Sequence, residues 1–148
     1  MLDANEIAPN LWQGSLPLRG EDLSNFDVIV FMAKEVQPPG DWYTGRLRIV
    51  RAPIDDNPYA GISSTDMLKI RGAVKEVVDA LRAGKRVLVT CFAGLNRSGV
   101  VVALVLRVLF GLPPYEAIRL VREGRGEAAL GNEAFVELIM QAKITGRM

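Results

Sequence analysis

The run Arg86-Val87-Leu88-Val89-Thr90-Cys91-Phe92-Ala93-Gly94-Leu95-Asn96-Arg97-Ser98-Gly99 decides how the rest of the chain is read. Residues 86–90 form a short β-branched run suited to a buried strand, and residues 99–110 are apolar almost without break, as a buried helix would be. Residues 92–97 are then a loop at a helix N-terminus. Backbone N–H groups in such a loop converge on one point, and the helix dipole adds partial positive charge, so Phe92, Ala93, Gly94, Leu95 and Asn96 are expected to cradle an anion. Arg97 can clamp two of its oxygens with a planar fork. The chain's one cysteine, Cys91, stands six residues before that arginine. Thiols in such settings ionise well below the ordinary value of about 8.5, so Cys91 is expected to meet a bound phosphoryl group as a thiolate. Ser98 can hydrogen-bond the sulfur and stabilise it as a leaving group. Gly94 and Gly99 suit close backbone approach or positive φ. An inert core cysteine is the competing reading, and it has no use for the adjacent Gly-x-x-Arg-Ser-Gly turn.

Working outward, strands are predicted over Leu11 to Leu16, Asp27 to Met32 and Leu47 to Ala52, separated by turn-rich stretches such as Gln37-Pro38-Pro39-Gly40. From Ser64 to Ala83 apolar residues recur at Met67, Ile70, Val74, Val77, Val78 and Leu81, one face of a helix. Ser63 and Asp66 are spaced as a capping box and Gly84 as the stop. The opposite face, with Lys69, Arg71, Lys75 and Glu76, reads as solvated surface. A third helix is predicted from Pro113-Pro114 to about Gly124, and a last one from Asn132 or Glu133. Strands alternating with helices predict an α/β sandwich, a mostly parallel central sheet flanked by helices, with the loop at the carboxyl end of the 86–90 strand.

Composition narrows the chemistry. The 148 residues, 49% hydrophobic and 24% charged, predict one globular domain over 1–148 and no membrane span. The polar, acidic start MLDANEIAPN does not fit a signal peptide, and a lone thiol suits a reducing, cytoplasmic setting. A formal net charge of +1 argues against a broad nucleic-acid footprint. With no histidine in the chain, Cys-His proteases, Ser-His-Asp hydrolases and most zinc sites fall away.

The leaving group needs a proton, and without histidine the donor is a carboxylic acid, lysine or tyrosine. Asp55 and Asp56, in Pro53-Ile54-Asp55-Asp56-Asn57-Pro58, sit just past a predicted strand, where a movable acid loop would lie. The same residues also suit a plain Asx turn. Asn96 and Asn132 have supporting roles at most, Asn96 fixing the loop and Asn132 bracing it from behind. Arg122 and Arg125 read better as helix C-terminal cations than as an extended surface for acidic substrates. Trp12 and Trp42 read as packing.

CFAGLNRSG resembles the signature loop of the cysteine-based protein tyrosine phosphatases, and its Ala-Gly-x-Asn-Arg-Ser-Gly form is similar to the compact dual-specificity branch. Three further patches follow in the family's order: Asn10-Leu11-Trp12-Gln13-Gly14-Ser15 resembles its opening strand, Ala52-Pro53-Ile54-Asp55-Asp56-Asn57 its acid segment, and Asn132-Glu133-Ala134-Phe135 the Asn-x-x-Phe of its last helix. Two positions depart from the pattern. Thr90 stands where the family has histidine, and its hydroxyl can replace one hydrogen bond. Gly131 stands where proline is common.

The resemblance implies a protein tyrosine phosphatase-like fold and a metal-independent phosphomonoester hydrolase working through a phosphocysteine, with no cofactor. Its roles fall on Cys91 as nucleophile, Arg97 and the 92–97 amides as phosphate ligands, Asp56 as general acid by the Pro-x-x-Asp alignment, and Ser98 as an aid to thiolate departure. The expected partner is a phosphorylated protein bearing phosphotyrosine, with phosphoserine and phosphothreonine as further substrates, and neither nucleic acid nor membrane. Alternatives are a phosphatase of phosphoinositide or RNA 5′-phosphate, a phosphate-binding pseudophosphatase and, ranked low, a rhodanese-type sulfurtransferase. Against the lipid alternative, the loop lacks the lysines that phosphoinositide-specific members tend to carry.

Overall fold

The computed structural model describes residues 2–144, so the two outermost pieces of the predicted 1–148 domain, Met1 and 145–148, lie outside the described residues. Five strands form one sheet: β1 (Ala4–Ala8), β2 (Leu11–Gly14), β3 (Val28–Ala33), β4 (Arg48–Ile54) and β5 (Val87–Thr90), in the spatial order β1-β2-β5-β3-β4. β5 lies at the centre, parallel to β2 and β3, and β4 is parallel to β3. Only the β1–β2 pair is antiparallel. Both β3 and β5 are buried along their whole length, as their unbroken apolar runs required.

Among the described residues four α-helices accompany the sheet: α1 (Ser64–Arg82), between β4 and β5, then α2 (Arg97–Phe110), α3 (Pro114–Arg125) and α4 (Glu133–Gln141). The flanking helices all fall on one face. Ile70, Val74 and Val77 of α1, residues 100–106 of α2, Val121 of α3 and Phe135 of α4 pack there with Val28, Val30, Val87 and Val89 of the sheet. Side chains of opposite parity, Ile29, Phe31 and Leu88, form a second cluster with Leu23, Phe26 and Tyr43 from the connecting loops. Trp12 belongs to this second layer, edge-on to Phe26 with centroids 5.8 Å apart, and Trp42 lies beneath the Arg19 guanidinium. Both tryptophans are packing residues, as expected. No helix among the described residues is long and apolar enough to cross a membrane.

One boundary and one strand differ from expectation in ways that matter. α2 starts at Arg97, two residues before the apolar run, so Arg97 and Ser98 occupy its first turn and are buried there. β1 was absent from the sequence reading because Ala-Asn-Glu-Ile-Ala, at a sheet edge, has no apolar alternation. The Ser63–Asp66 box forms only in half. Ser63 Oγ accepts the Asp66 N–H at 3.0 Å, but the Asp66 carboxylate turns to accept the Asp55 N–H, also at 3.0 Å, tying α1 to the segment after β4.

Candidate active site

Parallel strands present their carboxyl ends on one edge, and three of those ends build the site. Glu35 follows β3, Asp56 follows β4, and Cys91 follows β5. With Phe92, Ala93, Leu95, Asn96 and Arg97 they line a single cavity of about 270 Å³. Cys91 is buried at 3% exposure, with its Sγ 3.2 Å from Ser98 Oγ. That contact lets the serine hydroxyl donate to the sulfur.

The loop's carbonyls decide where its amides point. A trans peptide is planar with C=O and N–H opposed, so a carbonyl tied outward aims the next N–H inward. Phe92 O accepts from Leu16 N, Leu95 O from Leu130 N, and Asn96 O from Val100 N. Ala93 O accepts from Arg125 Nη2, while Gly94 O accepts from both Gln13 Nε2 and Arg125 Nε at 3.0 Å. Each loop carbonyl from 92 to 96 is thereby held away from the cavity. Gly94 makes this possible at φ +73°, because a β-carbon there would lie 2.4 Å from the Gly14 carbonyl carbon. Gly99 has no such φ; its need for smallness is packing, since a β-carbon would meet Leu130 at 3.0 Å.

Arg97 is 6% exposed at its side chain and forms a two-pronged pair with Glu35, Nη1 to Oε1 at 2.5 Å and Nη2 to Oε2 at 2.8 Å. Nη1 also donates to Ile54 O at 3.1 Å, and Nε has no protein partner. The expected clamp is thus corrected in detail. Glu35 occupies the end of the fork, and the buried Nε is left without a protein partner. Burial opposes Arg97's charge, but Glu35 foremost, with Cys91 and Asp56, more than offsets it and raises its already high pKa. Reciprocally, hydrogen bonding from Arg97 holds the Glu35 carboxyl at about 2.

Asp56 and Asp55 diverge. Asp56 is held by two amides, Asn132 Nδ2 to Oδ1 at 2.7 Å and Asn96 Nδ2 to Oδ2 at 3.1 Å. Neither amide is free to flip, because Asn96 Oδ1 accepts the Asn132 N–H and Asn132 Oδ1 accepts the Ala134 N–H. Asp55 points elsewhere, to Lys34 at 3.4 Å across exposed surface. Asn132 accordingly grips the Asp56 carboxylate, not only the loop. Thr90 corrects another expectation: its hydroxyl donates to Val30 O at 2.8 Å, within the sheet, and does not stand in for a histidine beside Cys91. Arg125 is corrected too, since its guanidinium leaves the helix end and braces the loop, whereas Arg122 donates to Ala129 O and Leu130 O. Nothing in the sequence assigns a site role to Glu35, or to Gln13 beyond its place in the opening strand. The available signal for Glu35 was its position two residues past a fully buried strand.

A parallel sheet with a cysteine-to-arginine loop at its carboxyl edge, buttressed by an acid from the neighbouring strand, is the architecture of a cysteine-based phosphatase. The chain belongs to the family described as the dual specificity phosphatase catalytic domain, which matches residues 13–145. No curated protein sequence matches it. Among solved structures the fold is similar to human DUSP28, 22% identical at a TM-score of 0.74, the match covering 93% of this chain and 90% of that one. It is similar to Tk-PTP in its active form, 21% identical at 0.74, covering 99% and 98%. It is similar as well to PTPMT1 in complex with PI(5)P, 18% identical at 0.76, covering 93% and 92%.

Proposed function

We propose that this phosphatase is a single catalytic domain that hydrolyses phosphoprotein monoesters, phosphotyrosine foremost and phosphoserine and phosphothreonine besides, without a metal. The observation that carries the reading is the Arg97 side chain, fixed by Glu35 with its Nε unpartnered, in the cavity that also holds Cys91 and Asp56. In the first step Cys91 Sγ attacks phosphorus and the P–O bond to the leaving group breaks, while Asp56 transfers its proton to the departing oxygen. The loop amides and Arg97 hold the three equatorial oxygens as charge redistributes. In the second step water attacks phosphorus, Asp56 takes its proton, and the S–P bond breaks with Ser98 donating to the sulfur. Phosphate leaves.

Two features favour a protein substrate. Among the described residues Arg97 is the one cation lining the cavity, beside the carboxylates of Glu35 and Asp56, which suits a single phosphate better than a multiply phosphorylated inositol. Phe92 stands 58% exposed among the lining residues, placed to pack against a substrate ring. PTPMT1 was solved with PI(5)P, so the lipid is the comparison that matters. A free nucleophilic thiol suits a reducing compartment such as the cytoplasm. The test is hydrolysis of an aryl phosphate in EDTA, then a panel of phosphotyrosine, phosphoserine and phosphothreonine peptides, phosphoinositides and 5′-phosphorylated RNA. Metal-free turnover with a phosphotyrosine peptide preferred is expected. Binding without turnover makes the protein a pseudophosphatase, and preference for the lipid or RNA overturns the substrate class.

A further inference from the structure

Arg125 spends every N–H it has on one junction. Its Nε donates to Gly94 O at 3.0 Å and Nη2 to Ala93 O at 3.2 Å, both carbonyls of the loop. The remaining donors reach the N-terminal strand region: Nη1 to Asp3 Oδ1 at 3.1 Å and Asn5 Oδ1 at 2.9 Å, Nη2 to Asp3 Oδ2 at 3.2 Å. The Arg125 side chain is 5% exposed and that of Asp3 65%. A solvated carboxylate on the edge of the sheet therefore orients a buried guanidinium whose other side grips the loop.

What is gripped gives the contact its consequence. By peptide planarity, the Ala93 and Gly94 carbonyls set the direction of the Gly94 and Leu95 amides. Gly94 is glycine, and glycine passes between φ > 0 and φ < 0 at little cost, so nothing in its own side chain resists a peptide flip that would turn a carbonyl toward the anion. Gln13 Nε2 anchors Gly94 O alone; among the described residues Arg125 is the only side chain that anchors both carbonyls.

We propose that Arg125 is a positioning residue for phosphate binding, and that Asp3 and Asn5 act through it as a clasp by which the N-terminal strand holds the loop in its anion-binding form. This rests on the loop being the phosphate site. Titration of the wild-type enzyme with orthovanadate tests that premise separately: no wild-type binding sinks the premise, whereas intact wild-type binding with unaffected variants sinks only the clasp.

The experiment measures vanadate and phosphate inhibition constants, kcat and KM for Arg125→Ala, Arg125→Lys, Asp3→Ala/Asn5→Ala and the triple variant, with thermal melts alongside. Arg125→Ala should weaken vanadate about 10- to 100-fold, the scale of losing charge-assisted hydrogen bonds, at temperatures where it remains folded. Arg125→Lys should resemble it, because an ammonium cannot span both carbonyls. Removing Asp3 and Asn5 should weaken vanadate about 3- to 10-fold and add nothing once Arg125 is gone. The ratio of rates for poor and good leaving groups should not move, since Asp56 is untouched. A purely structural brace would lower the melting temperature and leave vanadate affinity within twofold, which overturns the proposal. Additive losses in the triple variant overturn the strand's part in it. If Arg125→Ala fails to fold, the exposed Asp3 and Asn5 substitutions decide alone.

Discussion

Replacing Gly94 by alanine isolates the geometric premise of the site. At φ +73° an L-residue meets the left-handed penalty of about 1–2 kcal/mol. Its β-carbon would also stand 2.4 Å from Gly14 C, 2.5 Å from Ser15 N and 2.5 Å from Arg125 Nη2. Two of those three atoms belong to backbone at the end of β2, which cannot rotate aside, so relief to an ordinary 3.4 Å contact displaces the loop by about 1 Å. Overpacking of this kind adds about 1–3 kcal/mol, for a total near 2–5 kcal/mol and a melting temperature lower by about 4–20 °C. Displacement of a catalytic loop by that distance costs about 100-fold in rate. Urea or thermal melts, vanadate inhibition and kcat/KM on an aryl phosphate measure all three. Gly72→Ala is the control: it lies mid-helix in α1 with nothing within 4 Å, and should stabilise by about 0.5–1 kcal/mol with activity unchanged. A Gly94→Ala enzyme with native stability and native vanadate affinity would refute the outward-anchored loop.

The neighbouring acids should separate cleanly: Asp56→Asn lowers kcat by about 10²- to 10⁴-fold on substrates with poor leaving groups and much less on good ones, while Asp55→Asn, losing only its exposed Lys34 contact, does little. Equal losses would return the assignment to the pair. Glu35 carries an acid-side signature, because its folded pKa of about 2 lies below the ordinary 4.5. The stability it contributes is present above about 4.5 and lost as the pH falls toward 2, so the stability gap between wild type and Glu35→Gln should close across that window in urea melts. A gap that stays constant with pH would contradict the pairing. Peroxide should inactivate at Cys91, phosphate or vanadate should protect, and with no second cysteine to resolve a sulfenic acid, prolonged exposure should become irreversible. Intact mass and activity over a time course read this out; an unmodified thiol, or one that phosphate fails to protect, contradicts it.

How much of this was legible depended on distance along the chain. Cys91, Arg97 and Ser98 share one loop and helix turn, and the unbroken runs of β3, β5 and α2 announce burial by themselves, so the sheet, the loop and its helix could be read directly. The proposed acid was legible as a pair, Asp55-Asp56, and the resemblance chose between them. What stayed hidden were contacts between distant segments: Glu35 to Arg97 across 62 residues, Asn132 to Asp56 across 76, Gln13 to Gly94 across 81. No local pattern encodes such pairings. Arg125 shows the same limit in another form. Charge at a helix end is explained well enough by the dipole, and only the fold reveals that its guanidinium turns 31 residues back to Gly94. β1 escaped for the opposite reason, since an edge strand with exposed Asn5 and Glu6 carries no apolar signature at all.

The proposed reaction runs through a covalent bond between Cys91 Sγ and phosphorus. Rapid acid quench of the Asp56→Asn enzyme with an activated aryl phosphate, followed by mass mapping, measures it directly, since loss of the base for the second step lets the intermediate accumulate. The expected result is one added phosphoryl group on the peptide containing Cys91, absent from Cys91→Ser, which still binds vanadate through Arg97 and the loop amides but no longer turns over. Substantial hydrolysis by Cys91→Ser, or turnover with no phosphoryl group on Cys91 at any quench time, would contradict the account.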